Sequence, residues 1–595
     1  MKKTIITTLA LLAAVCGLQA QTMNDALAFS EQNYYGTARS MALGNAMTAV
    51  GGDLGSIGIN PAGSAVSRYS QFTITPGYSV SVNQANYSPS NYTELDRNGT
   101  YSPYADNFAA TNSDSYGKVT LPNLGVSFSW ETGNKYGVKS YSFAFLSNNT
   151  NSYVSRSTVA GINESTSLLG YFASVATFNS DGLGSIARPS TMPTNIFSRY
   201  SDPYDYFDKD AVAAYDSYMI SPDANGYIAA TQSDRSGSSA LNYPNSGKLM
   251  QSSIVQKYGT KNDVLMNFAF NYEDRVFVGF NLGLPVIRYS NTEYIREVAQ
   301  DEEQFPVTIV DEDGSVNLYN FQNAVYSYDY SMRGEGIYAK VGVIWLPNDN
   351  LRLGASFQTP SLYTIKEEWT ISASSTMSGI SHYASDVPVW NNTYNFRTPG
   401  LIDLGAAYTI LDRGFVSVDY EYENCGAMKF SDTYQEYDNF YDSFAEVNRL
   451  NELFCGSSHL LRIGGEYRLT PELSVRAGYN VKTSPLKYYT DSDGDLVDAE
   501  FYDNNYTYYE SGKASLSSKK SFNMPVRSFA FGLGWSSAGS FFADAALKVT
   551  NYPVSYYSPY PEYQSFDGGS VFTASPLVQT SRRLIDFALT VGWRF

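Results

Sequence analysis

The residues able to do chemistry are few and poorly placed for it. The 595-residue chain holds two histidines, His382 and His459. A hydrolytic relay needs a serine or cysteine that faces a base within hydrogen-bond reach. Ser457, Ser458 and His459 are merely consecutive, and a strand-edge position is the plainer reading of that histidine. No zinc-type cluster, phosphate loop or dinucleotide fingerprint occurs, so neither an enzyme nor a cofactor is expected. Two acidic runs, Asp491-Ser492-Asp493-Gly494-Asp495 and Asp311-Glu312-Asp313-Gly314, set oxygen ligands around a glycine turn. Asp491, Asp493 and Asp495 are at most calcium candidates, because neither run has EF-hand spacing. Solvated hairpin tips explain both runs, and no metal is expected.

Composition narrows the class. Charged residues make up 16% of the chain, against about 25% in ordinary soluble domains. Aromatics make up 15%, led by 51 tyrosines, a mix that favours strands over helices. After residue 20 no apolar run is long enough for a spanning helix. A net charge of −18 argues against nucleic acid as a partner.

The first twenty residues have the form of a secretory signal. Lys2 and Lys3 form a basic start, Thr4 to Leu18 an apolar core, and Leu18-Gln19-Ala20 a cleavage site before Gln21. Lipid attachment at Cys16 is disfavoured by the bulky Val15 before it. The exported chain then keeps Cys425 and Cys455. Its compartment permits one bridge between them, provided their Cα atoms lie within about 7 Å.

From residue 68 onward, period-2 segments recur. Ile585, Phe587, Leu589, Val591, Trp593 and Phe595 make one apolar face, opposite Leu584, Asp586, Ala588, Thr590, Gly592 and Arg594. Fourteen such segments are expected, near 68–83, 117–131, 138–149, 262–272, 275–292, 322–346, 351–374, 391–411, 414–431, 457–469, 472–488, 524–536, 540–557 and 580–595. Their connections alternate strictly between short and long. A membrane barrel requires this, because every second turn lies on the same side of the bilayer. Closure also pairs every backbone group inside hydrocarbon. The expected fold is therefore all-β: a 14-stranded antiparallel transmembrane β-barrel over residues 68–595, with long extracellular loops. The loop at 150–261 has room for short helices, for example Tyr206 to Met219. Lumen-side charges are expected at Asp403, Asp419, Glu421, Arg462, Glu466, Arg476, Asp544 and Lys548.

Residues 21–67 lack alternation. Thr37 to Val50 is small and helix-compatible, and Gly51, Gly52, Gly55 and Gly58 lead to the turn signal Asn60-Pro61-Ala62-Gly63. So short a segment has no core of its own, and a fourteen-stranded barrel is wide enough to hold it. It is expected to fill the lumen as a plug, with Arg39 and Asp53 as natural partners of the lumen charges.

The stretch G-T-A-R-S-M-A-L-G-N-A-M-T-A-V-G-G-D at 36–53, with I-N-P-A-G at 59–63, resembles the N-terminal hatch of FadL-type outer-membrane transporters. The segments 334–360 and 417–430 resemble barrel strands of the same family. The resemblance implies uptake of hydrophobic compounds, such as long-chain fatty acids, by passive diffusion. It implies a hatch and a lateral exit through a gap in the wall. Hatch and ligand-path candidates are then Arg39, Gly44, Gly51, Gly52, Asp53, Asn60, Pro61 and Gly63. The implied setting is the outer membrane of a gram-negative bacterium. The implied partners are outer-membrane lipid and a hydrophobic small molecule or lipid, with the protein a monomer. The family's gap comes from a distorted third strand, yet Ser140 to Asn149 contains neither glycine nor proline. Pro122, Pro285, Pro360 and Pro399 are alternative break points. A second reading is a non-transporting surface barrel whose extracellular loops bind protein cargo, as in type IX secretion shuttles.

Overall fold

The alternation of the last strand sets the geometry of the whole molecule. In the computed structural model, Phe587, Leu589 and Trp593 point outward and are exposed, while Asp586, Ala588 and Thr590 are buried inside. This strand pairs with the first along its length, from Gln71↔Arg594 to Ser88↔Leu577, which closes the sheet. The structure describes residues 23–89, 110–177, 209–223, 226–232, 245–310, 316–384, 387–410, 413–433, 444–487, 489–490, 496–497, 525–537, 539–560, 563–565, 571–573 and 576–595. The expected signal segment, the run Asp311 to Gly314, and Asp491, Asp493 and Asp495 lie outside them.

Fourteen antiparallel strands form the ring, as expected from the pattern. They are β1 (Gln71–Ser88), β2 (Ala110–Glu131), β3 (Val138–Ser152), β4 (Leu249–Tyr272), β5 (Val276–Ala299) and β6 (Val316–Trp345). β7 runs as Leu351–Gln358 and Leu362–Met377, and β8 as Trp390–Arg397 and Leu401–Ile410. β9 (Gly414–Asn424), β10 (Ser457–Arg468), β11 (Leu473–Lys482), β12 (Val526–Ser536), β13 (Phe541–Asn551) and β14 (Leu577–Arg594) complete it. The connections at 132–137, 273–275, 346–350, 411–413, 469–472 and 537–540 all fall at one end of the ring.

β5 shows where a bilayer would sit. Its outward residues are Val276, Val278, Phe280, Leu282, Leu284 and Val286, and then the face turns to Arg288, Ser290 and Thr292. That apolar stretch of eleven residues matches the 9–11 that a tilted strand needs to cross hydrocarbon. Trp130, Trp345, Trp535 and Trp593 are exposed near the short-turn end, the placement of an aromatic girdle.

Beyond the belt, strands are longer than their alternation predicts. β4 begins at Leu249 rather than near 262, and β1 and β6 are also extended. There the outer face meets water, so an apolar face is no longer required and the sequence signal fades. Among the described residues, the loop between β3 and β4 contains two helices, Leu168–Thr177 and Lys209–Asp216, the second inside the expected 206–219. They pack Leu169, Phe172, Ala213 and Ala214 with Phe321 and Ile371 of the extended strands into an apolar cap. Strands 7 and 8 break where Pro360 and Pro399 interrupt the ladder. Gln358↔Leu401 is paired on one side of the break and Leu362↔Arg397 on the other. Proline has no N–H to donate across such a gap.

Candidate functional site

The lumen is occupied by residues 23–66, whose side chains are largely buried. A helix α1 (Met23–Ser30) comes first, then an extended stretch, a short helix α2 (Ala38–Ala42), a 3-10 turn (Leu54–Gly58) and a last turn α3 (Gly63–Val66). Phe29 of α1 stands edge-on to Tyr289 and Phe396 on the wall. Around it Tyr330, Tyr363, Tyr394 and Phe430 form an aromatic layer between this segment and the outer cap. Two of the tyrosine hydroxyls in that layer share one acceptor, since Tyr330 and Tyr394 both donate to Glu367, at 3.0 and 2.9 Å.

The wall has a seam next to this segment. β2 and β3 pair only from Asn123↔Asn148 to Glu131↔Ser140. Beyond Asn123 the pairing of β2 with β1 slips, since Thr75 faces Asn123 but Gly77 faces Thr120. Pro76 and Pro122 both sit in that slip. Past Asn148, β3 therefore presents carbonyls that β2 does not reach. The lumenal segment takes them: Asn33 N–H donates to Thr150 O at 2.7 Å and Tyr35 N–H to Asn149 O at 3.1 Å. Tyr153 donates its hydroxyl to Ala28 O at 2.9 Å. The buried Lys261 ammonium donates to Phe29 O at 3.0 Å. A cation at the C-terminal carbonyls of α1 is favourably placed against the helix dipole. β3 contains neither glycine nor proline beside this gap, and of the alternative break points Pro122, Pro285, Pro360 and Pro399 it is Pro122 on the adjacent β2, together with Pro76 on β1, that lies at the slip.

Ion pairs hold the rest. Arg39 donates to Glu466 at 2.8 Å, Glu466 accepts from Arg476 at 2.7 Å, and Arg476 reaches Asp544 at 2.5 Å. Tyr34 lies with its ring within 5.6 Å of the Lys340 ammonium and 5.5 Å of the Arg462 guanidinium. Both cations pair with Asp403, at 3.2 and 3.3 Å, and Arg462 also pairs with Glu421. Asp419 accepts from Thr48 N–H at 2.7 Å. Asp53 has a local role: it accepts from Thr37 Oγ1 at 2.6 Å and from Gly55 N–H at 2.9 Å. Asn60 donates to Thr48 O at 2.7 Å and to Val343 O of β6 at 3.1 Å, and Pro61 O accepts from Asn267 at 3.0 Å.

Close approach of backbone to wall depends on glycine. A Cβ at Gly478 would lie 2.1 Å from Gly44 N, and one at Gly342 2.0 Å from Asn60 Oδ1. These inward strand glycines carry a readable signal, since glycine inside a strand marks close approach of another backbone. The reading of the sequence did not single them out. Gly44, Gly51 and Gly52 adopt φ of 62°, 64° and 72°, which favours glycine. Gly63 faces Ser56, with 2.8 Å from a hypothetical Cβ to Ser56 Oγ.

The remaining candidates fall elsewhere. His459 shares a 2.7 Å hydrogen bond with Tyr420, while Ser458 donates to Thr483 O and Ser457 to Tyr422. Neither serine is a partner of that ring. Cys425 and Cys455 are free thiols, both buried, rather than the bridge the compartment permits. Their neighbourhoods touch, because Cys425 N–H donates to Gly456 O at 2.9 Å. Burial pushes the Cys455 thiol up to about 11 and raises Cys425 further. Among the described residues no group of acidic, histidine or cysteine side chains is arranged to hold a metal ion.

No family model matches the chain, and no curated protein matches it. Solved structures do resemble it. A Pseudomonas aeruginosa FadL homologue is 11% identical, with 94% of this chain and 98% of that one covered at a TM-score of 0.43. The Pseudomonas putida toluene transporter TodX is 11% identical, with coverage of 95% and 99% and a TM-score of 0.41. The Ralstonia pickettii toluene transporter TbuX is 11% identical, with coverage of 95% and 99% and a TM-score of 0.40.

Proposed function

We propose that this protein is an outer-membrane transporter that takes up hydrophobic compounds by passive diffusion, with residues 21–67 as a hatch and residues 68–595 as its barrel. The observation that carries the reading is the pairing of Asn33 and Tyr35 with the β3 edge that β2 leaves free. A chain segment that completes a gap in its own wall can also uncover it. Hydrocarbon-like molecules, long-chain fatty acids among them, would move over the aromatic layer around Phe29 and leave sideways through the seam.

The energetics favour that path over an aqueous one. Each buried CH₂ is worth about 0.8 kcal/mol, so an acyl chain released into water would lose several kcal/mol that lateral exit into lipid retains. The hatch is held by hydrogen bonds and ion pairs rather than by covalent links, so it can shift without unfolding the barrel.

The test is uptake of labelled oleate and of labelled toluene by cells that express the chain and lack other routes for them. Expression should raise uptake of at least one of the two several-fold and leave glucose entry unchanged. Unaltered uptake of both, with folded protein in the membrane, would refute the reading.

A further inference from the structure

The end of the lumen that carries the short turns holds a second feature. A cavity of about 280 Å³ lies between Val50–Gly52 of the lumenal segment and the wall. Arg39, Arg352, Arg413 and Arg468 line it, with Glu466 as the carboxylate among its lining residues. Glu466 is already answered by Arg39 and Arg476. Arg352, Arg413 and Arg468 have no ion pair among the described residues. Arg352 uses one N–H, donated to Val50 O at 2.9 Å, and a guanidinium has five. Arg413 and Arg468 are exposed at the mouth of the cavity and Arg352 is half-buried, so three guanidinium groups without a carboxylate partner meet at one small cavity in a chain whose net charge is −18.

The rest of the lining is mixed: Val50, Val66 and Phe415 give it an apolar side, beside Thr409 and glycine backbone at Gly51, Gly52 and Gly414. The volume falls just below the 300–1,000 Å³ of cavities that enclose whole ligands, which suits a headgroup with a few carbons. Arginine forks bind carboxylate and phosphate oxygens in pairs.

We infer that this cavity is a binding site for an anionic headgroup, the carboxylate or phosphate of an amphiphile, at the periplasmic mouth between hatch and wall. Its periplasmic placement rests on the transport reading; the binding does not. The wall residues belong to β7 to β10, across the ring from the seam between β2 and β3, so the site would hold the charged head of an amphiphile that reaches the periplasmic end of the lumen.

The test is calorimetric titration of the full chain in zwitterionic detergent with decanoate, with decanol and with inorganic phosphate. Decanoate should bind at least tenfold more tightly than decanol, a difference of about 1.4 kcal/mol. The double variant Arg352→Gln/Arg413→Gln should abolish that preference, and Arg352→Lys/Arg413→Lys should keep part of it. Heat-modifiable gel migration establishes that each variant is folded. Phosphate that competes with decanoate would assign the site to the bare anion, and phosphate without effect would assign it to the amphiphile. Equal affinity for decanoate and decanol, or a preference that survives the glutamine pair, would overturn the site. Lost oleate and toluene uptake with intact decanoate preference would instead count against the transport reading alone.

Discussion

Asn33 donates its backbone N–H to Thr150 O at 2.7 Å, so the lumenal segment acts as a neighbouring strand to β3 where β2 has departed. The relationship joins residues more than a hundred positions apart. It makes Asn33 and Tyr35 part of the wall, not only a filling for the lumen.

Removal of residues 21–63 should open a water path. The deleted protein is expected to conduct small ions in planar bilayers at a level well above the intact chain. A fourteen-stranded ring without filling is wide enough for an aqueous channel. Conductance that does not change would contradict the plug.

The inward glycines should be sensitive to small additions. Gly342→Val and Gly478→Val place atoms where Asn60 and Gly44 now lie. Overpacking of this kind destabilises by about 1–3 kcal/mol. The strain falls on the hatch rather than on the closed ladder, so the expected readout is faster protease cleavage within residues 36–63 while the barrel stays folded. Gly465→Ala on β10 serves as the control, since the nearest atom to a Cβ there is Phe415 O at 3.6 Å, an ordinary contact.

The ion relay gives a graded series. Glu466→Gln leaves Arg39 and Arg476 without their shared carboxylate, and loss of one partner from a buried pair typically removes about 3–5 kcal/mol. Arg39 is 22% exposed on its side chain, so the lower end of that range is expected from Arg39→Gln. Gel-shift melting of the barrel measures both. Equal melting of Glu466→Gln and wild type would show that the relay does not hold the hatch.

The outer cap should respond to pH. Glu297 lies on β5 beyond the apolar belt, and its carboxylate accepts from Leu168 N–H at 2.7 Å, from Gln251 at 2.7 Å and from Ser167. Burial pushes its carboxyl up to about 7. A raised folded value means that the folded state binds a proton more tightly than the unfolded one. Stability of the cap therefore falls as pH rises from about 4.5 to 7 and levels off above that. The loss amounts to about 3 kcal/mol at 1.36 kcal/mol per unit. Hydrogen exchange in Leu168–Thr177 should quicken over that window, and Glu297→Gln should flatten the dependence.

Much of this architecture was legible because a bilayer imposes a period. Outward positions such as Phe587, Leu589 and Trp593 must be apolar, so strands reveal themselves wherever hydrocarbon touches them. Leu249 to Lys261 lies beyond that belt, and nothing forces one face to be greasy. Its strand character was therefore hidden. The lumenal segment was legible from its lack of alternation and its glycines. The seam was not, because it arises from pairing. Pro76 and Pro122 shift β2 against β1, and the consequence appears one strand away at Asn149 and Thr150. Residue types within β3 carry no trace of that. The arginine-lined cavity was likewise invisible, since Arg39, Arg352, Arg413 and Arg468 lie on four separate elements.

A reversible lock tests most directly whether the lumenal segment gates the seam. Asn33→Cys and Asn151→Cys, made with Cys425→Ala and Cys455→Ala, place two thiols where the Asn33 and Asn151 side chains now meet, Nδ2 to Oδ1 at 3.3 Å. Oxidation should reduce oleate and toluene uptake at least tenfold, and reductant should restore both. Uptake that is the same with the bond formed and broken would contradict the account.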